Sequence, residues 1–227
     1  MAEHASQVEL SIDLGNDERD RDLLHLLSTL PLEAVVNLTL QMAAITEPVM
    51  LTLLLTSDEA IRNLNKHYRG QDKPTDVLSF PLLDKPIVEA PADQLWTSAE
   101  APAREIAETD TAGETKGRPQ GSPLHTTPLP PLLSYGEISP AAYETGNTKQ
   151  VFITPPGLTT NLGDIVISWP AVVRQAAGAG HDPTYELLYL LSHGVLHLIG
   201  YDDQTEAGYQ AMVQIQQAVM KATEQKA

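Results

Sequence analysis

The first third of the chain alternates between strand-like and helix-like hydrophobic patterns. Apolar and polar residues alternate over residues 7–14, which predicts a strand. Leucines recur at helical spacing over residues 19–44 and predict one or two helices interrupted at Pro31. The apolar run 49–56 predicts a buried strand, followed by a helix over 57–68 and a strand over 76–82. This region therefore predicts ordered structure with mixed elements.

The middle of the chain has no periodic pattern. The stretch from about residue 84 to 160 contains eleven of the seventeen prolines and is rich in Gly, Ser and Thr. A structureless loop of this length is uncommon within a compact domain, so the composition predicts a long, flexible, low-complexity insert.

Order is predicted again after the insert. Residues 163–169 form a strand candidate, residues 170–177 a short helix, and residues 204–224 a final helix. Strands mixed with helices, and interrupted by an insert, indicate one α/β or α+β domain.

The most informative helix is predicted over residues 183–199. Asp182 is a suitable N-cap, Pro183 fits the first helical position, and Gly200 ends the helix. The segment is apolar on nearly all sides, which predicts a buried central helix.

Composition and charge narrow the functional classes. The chain lacks cysteine, which excludes a disulfide scaffold, cysteine zinc fingers and thiol catalysis. The net charge of −16 disfavours non-specific binding to DNA or adhesion to an anionic membrane. The sequence shows neither a signal peptide nor a membrane-spanning run, and we therefore expect a cytoplasmic protein.

A candidate metal site lies at the end of the central helix. His193 and His197 are four residues apart and share one helix face. Asp203 follows Gly200 closely enough to fold back toward them, and two imidazoles with one carboxylate suit zinc with an open position for water. An alternative role for Asp203 is N-cap of the last helix, because Asp203 and Glu206 match a capping box.

One residue argues against a peptidase. In the zinc-protease pattern His-Glu-x-x-His, the glutamate after the first histidine is the general base. This chain has Gly194 at that position. The metal-binding helix is therefore predicted without the base that a protease needs.

A second candidate site is locally basic. Residues 62–73 contain four bases and one acid, an excess of positive charge in an acidic chain. Arg69 and Lys73 lie at a predicted helix end and in the loop that follows. A guanidinium group can bind phosphate with two parallel hydrogen bonds, so Arg69, helped by Lys73, is a candidate phosphate-binding residue. A solvated helix end is the alternative.

Together, the segments 65–81, 162–168 and 193–203 resemble the YbeY-type family of bacterial rRNA maturation factors and endoribonucleases. The resemblance implies one α+β domain over residues 1–227, with a small mixed sheet packed by helices and interrupted by the insert. It also implies that His193 and His197 are the first two ligands of one zinc ion per chain, and that Arg69 lies beside the metal cleft.

The sequence departs from the family pattern at two places. The family's third ligand is usually a histidine, where this chain has Asp203, and the insert is far longer than the family's usual connection.

The resemblance implies a zinc-dependent endoribonuclease of single-stranded RNA in rRNA maturation and ribosome quality control. The expected partners are rRNA and the small ribosomal subunit or an associated protein, with no membrane or DNA. The alternative is a non-catalytic ribosome-assembly protein stabilised by its metal.

Overall fold

A computed structural model describes residues 6–15, 17–97 and 159–225 of the protein. The strands are β1 (Gln7–Asp13), β2 (Val49–Thr56), β3 (Val77–Pro81) and β4 (Thr160–Ser168). The α-helices are α1 (Asp17–Leu27), α2 (Leu32–Met42), α3 (Asp58–Arg69), α4 (Trp169–Ala179), α5 (Pro183–Ile199) and α6 (Glu206–Glu224). A short 3₁₀ helix spans Ala92–Gln94.

The four strands form one mixed sheet in the order β1-β2-β4-β3. Strands β1, β2 and β4 run parallel, whereas β3 is antiparallel to β4 and lies at the edge. The predicted α+β fold with a small mixed sheet and packed helices is therefore confirmed. The strand β4 begins at Thr160, three residues earlier than its hydrophobic pattern predicts.

The sheet separates two apolar clusters. Ile165 and Ile167 of β4 belong to the main core, whereas Val166 between them belongs to a smaller cluster with Ile61 of α3 and Leu78 of β3. Because successive side chains of a strand point to opposite faces, α3 covers the face opposite the main core.

Helix α5 lies inside the main core, as its apolar sequence predicts. It packs against α2, α4, α6 and the two strands β3 and β4. Leu187, Leu191, Val195 and Leu196 are fully buried. Neighbouring elements therefore fix the helix that carries the two candidate histidine ligands.

The predicted insert begins too early in the sequence. Residues 86–96, which we call the capping segment, pack against the end of α5, and Val88 and Trp96 are buried. Backbone hydrogen bonds to residues distant in sequence hold this segment in place. Such bonds require no strand or helix periodicity, so the sequence pattern does not reveal them. Residues 98–158, the rest of the predicted insert, lie outside the described residues.

No single helix of the described ranges is both long enough and apolar enough to cross a membrane. The adjoining helical stretches 20–27 and 32–42, bent by 55°, satisfy that criterion together by length and composition alone.

Candidate metal centre

The ends of α5 are defined by local sequence signals. The Asp182 side chain accepts a hydrogen bond from the Thr184 N–H at 2.7 Å, and Pro183 occupies the first helical position. Gly200 ends the helix with a φ of +131°, a conformation that favours glycine. A Cβ atom at Gly200 would also lie 2.5 Å from Pro86 Cβ, so the close approach of the capping segment requires glycine there.

His193 and His197 face the same space at the C-terminal end of α5. Their Nε2 atoms lie 3.0 Å apart. The His197 side chain is 6% exposed and that of His193 is 16% exposed. His193 is therefore the member of the pair that is more accessible from solvent.

Asp203 completes a cluster with the two histidines. Its Oδ2 lies 4.0 Å from the Nε2 atoms of both His193 and His197. The three potential ligand atoms all lie within 4.8 Å of one another. Asp203 Oδ1 is buried and has no hydrogen-bond partner in the described structure. An orphaned carboxylate oxygen at this place fits the coordination of a cation.

The alternative role of Asp203 as helix N-cap is wrong. Helix α6 begins at Glu206, and its N-cap is Thr205, whose Oγ1 accepts a hydrogen bond from the Gly208 N–H at 3.0 Å. Asp203 therefore lies before the cap. Its carboxylate is directed to the histidines instead of to the backbone of α6.

His197 is held in the state that a metal ligand requires. Its Nδ1 lies 3.0 Å from the Tyr201 carbonyl oxygen, which can only accept, so Nδ1 carries the proton and Nε2 presents a lone pair. Burial, assisted by electrostatic interactions with His193 and Arg69, lowers the pKa of His197 well below its ordinary value. The imidazole is thus neutral at physiological pH.

The donor set fits a single zinc ion. Two imidazole nitrogens about 2.05 Å from one tetrahedral zinc lie about 3.3 Å apart, close to the 3.0 Å observed between His193 and His197. Two imidazoles and one carboxylate are also the ligand types of catalytic zinc sites. The three described residues could therefore hold a metal ion.

Arg69 lies at the C-terminus of α3, close enough to Asp203 and His197 to interact with both electrostatically. The helix ends there because Gly70 adopts the left-handed conformation, with a φ of 68°. Burial lowers the pKa of Arg69 to about 10, opposed by the negative charges of Asp203 and Asp76. The guanidinium remains charged at neutral pH, and its Nη1 is buried without a hydrogen-bond partner in the described structure.

The other predicted basic residues are arranged differently. Arg62 and Lys66 both form ion pairs with Asp72, at 2.6 and 2.8 Å, so the single acid of this segment offsets part of its positive charge. Lys73 is exposed on a cleft of about 300 Å³. The remaining lining of this cleft comes from Pro74, Thr75, Asp76, Ala171, Arg174 and Gln175. Lys73 therefore lies apart from the three candidate metal ligands.

Gly194 is a packing residue. A Cβ atom at this position would lie 2.8 Å from the Cγ2 atom of Ile165 in β4. The glutamate that serves as base in a zinc protease cannot be accommodated where α5 lies this close to the sheet. The structure therefore supports the argument against a peptidase.

Two contributors to the site have no direct signal in the sequence. The Tyr201 carbonyl oxygen orients His197, and the Trp96 indole Nε1–H donates a hydrogen bond to the His197 carbonyl oxygen at 3.0 Å. A backbone carbonyl carries no residue-type signature. Trp96 lies within the stretch predicted to be an insert. A large apolar side chain among prolines and polar residues is the one sequence feature that indicates a buried residue there.

Comparisons with known proteins identify the family of this chain. The model of the family described as Endoribonuclease YbeY matches residues 16–224. The chain is similar to proteins named Endoribonuclease YbeY from three bacteria. It is 32% identical over 173 residues to that of Roseiflexus sp., covering 76% of this chain and 69% of the relative. It is 34% identical over 191 residues to that of Moorella thermoacetica, covering 82% and 83%. It is 31% identical over 190 residues to that of Dehalococcoides mccartyi, covering 84% of both chains. The chain belongs to the YbeY endoribonuclease family.

Proposed function

We propose that this protein is a zinc-dependent endoribonuclease that cleaves single-stranded RNA. The observation that carries the proposal is a pair of buried, unpartnered groups of opposite charge. Asp203 Oδ1 is an acceptor suited to a cation, and Arg69 Nη1 is a donor suited to an anion. A phosphodiester held beside a metal ion satisfies both groups at once. The family name supports RNA as the source of that phosphodiester.

His193, His197 and Asp203 would hold the metal. A divalent ion bound there supplies Lewis acidity and a water whose pKa is lowered to about 7. The protein's own groups would orient the ligands and the substrate. The Tyr201 carbonyl fixes the His197 imidazole in the tautomer that leaves Nε2 unprotonated. The partly exposed His193 lies on the side from which a substrate can approach.

Arg69 would bind the scissile phosphate. Its guanidinium is partly buried and charged, and it can give two parallel hydrogen bonds to phosphate oxygens. Desolvation strengthens its electrostatic interaction with negative charge that develops during cleavage. Lys73 lies on the neighbouring cleft, and in this proposal it contacts a phosphate further along the RNA.

The proposed cellular role is rRNA maturation and ribosome quality control, which implies action in the cytoplasm. The chain has a net charge of −16, so general electrostatic attraction to RNA is weak. We therefore propose that a few specific contacts, or a protein of the small ribosomal subunit, bring the enzyme to its substrate.

The test is cleavage of labelled RNA by protein of known zinc content. Single-stranded oligoribonucleotides should be cut internally, whereas duplex RNA and DNA of the same sequence should not. The variant His193→Ala should lose cleavage and zinc together. Wild-type protein that contains zinc but leaves single-stranded RNA and rRNA precursors intact would overturn the proposal.

The alternative is a non-catalytic assembly protein whose metal only stabilises the fold. The unpartnered Arg69 Nη1 favours the enzyme, because a purely structural metal site needs no anion-binding group beside it. Loss of ribosome assembly in cells with Arg69→Ala, without any RNA cleavage by the purified wild type, would favour the assembly protein.

A further inference from the structure

We infer that Trp96 is a positioning residue of the metal site, because its indole binds the end of α5 while its backbone binds the loop that leads to Asp203. The inference rests on the metal site of the proposed function. It adds a residue that lies outside the three ligands and comes from the capping segment, residues 86–96.

The capping segment satisfies carbonyl groups that the end of a helix leaves free. The N–H groups of Ile87 and Val88 donate to the Ile199 carbonyl oxygen at 3.0 and 3.3 Å. The Trp96 indole N–H donates to the His197 carbonyl oxygen at 3.0 Å. The last turn of α5, which carries a candidate ligand, is thus bound from outside the helix.

The same segment binds the loop that follows α5. The Trp96 N–H donates to the Gly200 carbonyl oxygen at 3.0 Å, and the Asp202 N–H donates to the Gln94 carbonyl oxygen at 2.9 Å. These bonds form a short antiparallel bridge between Leu95 and Tyr201. Two backbone hydrogen bonds therefore join the loop to the capping segment.

A third contact is made beyond Asp203. The Thr205 hydroxyl, which caps α6, also donates to the Asp93 carbonyl oxygen at 2.5 Å. Asp203 thus lies between two points, Asp202 and Thr205, at which the capping segment holds the chain. The carboxylate is placed by contacts on both sides of it.

Trp96 is the residue at which these contacts converge. It is 5% exposed, its backbone binds the loop, and its side chain binds the residue whose imidazole is a ligand. The Tyr201 carbonyl that orients His197 lies in the bridge partnered by Leu95. Loss of the indole donor leaves the Gly200 N–H, at 3.2 Å, as the other donor to the His197 carbonyl oxygen. It should therefore loosen the end of α5 against the capping segment.

The experiment compares Trp96→Phe with two controls in the full-length chain. Trp96→Phe keeps an aromatic ring but removes the donor. Trp169→Phe makes the same chemical change in the tryptophan that begins α4. Val88→Ala removes packing from the capping segment without touching the bond to His197. Zinc affinity is measured by chelator competition, the site by the visible spectrum of Co²⁺-loaded protein, and stability by thermal unfolding of the apo form.

We expect Trp96→Phe to weaken zinc binding by about 10-fold or more, the range found for residues that support metal ligands. Its Co²⁺ spectrum should differ from that of the wild type. Both controls should keep wild-type zinc affinity and Co²⁺ spectrum, even where Val88→Ala unfolds at lower temperature.

Two outcomes would overturn the inference. One is wild-type zinc affinity and an unchanged Co²⁺ spectrum in Trp96→Phe. The other is an equal loss of affinity in Val88→Ala, because that result would make the effect one of general stability. Wild-type protein that binds no zinc would instead refute the metal site of the proposed function, and with it this inference.

Discussion

Arg69 and Asp203 carry opposite charges and attract each other, yet neither completes its hydrogen bonding through the other. Arg69 Nη1 and Asp203 Oδ1 are both buried, and both lack a partner within the described part of the chain. A buried polar atom without a partner costs about 1–3 kcal/mol. The arrangement is stabilised when a cation meets the carboxylate and an anion meets the guanidinium.

The first prediction concerns metal content. Purified protein should contain about one zinc per chain, and His193→Ala or His197→Ala should lose it, because each removes one of three ligands. His181→Ala is the matched control, since His181 pairs with Glu186 at 3.0 Å and belongs to the other end of α5. Elemental analysis of the four proteins measures the outcome. Stoichiometric zinc in the His193/His197 double alanine variant would contradict the assignment.

Arg69 provides the second prediction. Arg69→Ala should lower RNA cleavage by at least about 100-fold, the usual effect of removing one donor that stabilises developing charge. Arg69→Lys should restore little, because an ammonium group cannot form the paired hydrogen bonds of a guanidinium. Zinc content should be unchanged in both. Arg62 lies on α3, as Arg69 does, but forms an exposed ion pair with Asp72, so the control Arg62→Ala should cleave normally. Full activity of Arg69→Ala would remove this residue from the mechanism.

The third prediction distinguishes the metal-binding role of Asp203 from the helix-capping role of Thr205. Asp203→Asn should weaken zinc binding by about 10-fold or more, because a neutral amide replaces an anionic ligand. Thr205→Ala should instead destabilise the apo protein by about 1 kcal/mol through loss of the α6 cap, an effect that Asp203→Asn should not have. Asp203→His should retain zinc, because it supplies an imidazole at the third position. Zinc affinity that is indifferent to both Asp203 changes would indicate another third ligand, with Asp202 the next candidate.

A fourth prediction divides the predicted insert at residue 97. Replacement of residues 98–158 by a Gly/Ser linker of about 15 residues should preserve folding and zinc binding, since loop length changes stability by well under about 2 kcal/mol. Extending the deletion to residues 86–158 should reduce zinc binding, because the capping segment is lost. Circular dichroism and chelator competition compare the two variants. Equal behaviour of both variants in these measurements would contradict the boundary.

The fifth prediction is a pH dependence far from the metal site. Hydrogen bonds from Arg174, opposed by partial burial and aided by Ser168, hold the pKa of Asp58 below its ordinary 3.8. A lowered pKa in the folded state stabilises the fold above pH 3.8, and this contribution is lost as pH falls through the lowered value. Arg174→Ala should therefore lower the free energy of unfolding by about 0.5–1 kcal/mol near pH 7 and by little near pH 2. The effect is small because both side chains are partly exposed to solvent, which weakens their interaction. Urea unfolding at the two pH values tests it; a loss of equal size at both would contradict the assignment.

Much of the fold and two of the candidate metal ligands could be predicted because their signals are local. Asp182 caps α5 as its sequence position predicts, and the spacing of His193 and His197 defines a shared helix face. The strands were recognised by alternation or by short apolar runs, which depend only on neighbouring residues.

The remaining features depend on contacts between residues distant in sequence. The capping segment is ordered by backbone groups of α5 and its following loop, and backbone groups leave no pattern in the sequence. The sequence alone leaves Asp203 open as a cap of α6, and Thr205, an equally competent capping residue two positions later, is the cap in the structure. Tertiary structure decides between them by directing Asp203 toward the histidines.

The hydrogen bond between Trp96 and His197 should also make the intrinsic tryptophan fluorescence of the protein sensitive to the state of the site. The chain contains two tryptophans, and Trp169→Phe leaves Trp96 as the single indole fluorophore. That fluorophore is buried and hydrogen-bonded to the backbone of a candidate ligand. Its emission should therefore change when zinc binds, so occupancy of the site can be followed in real time without a label.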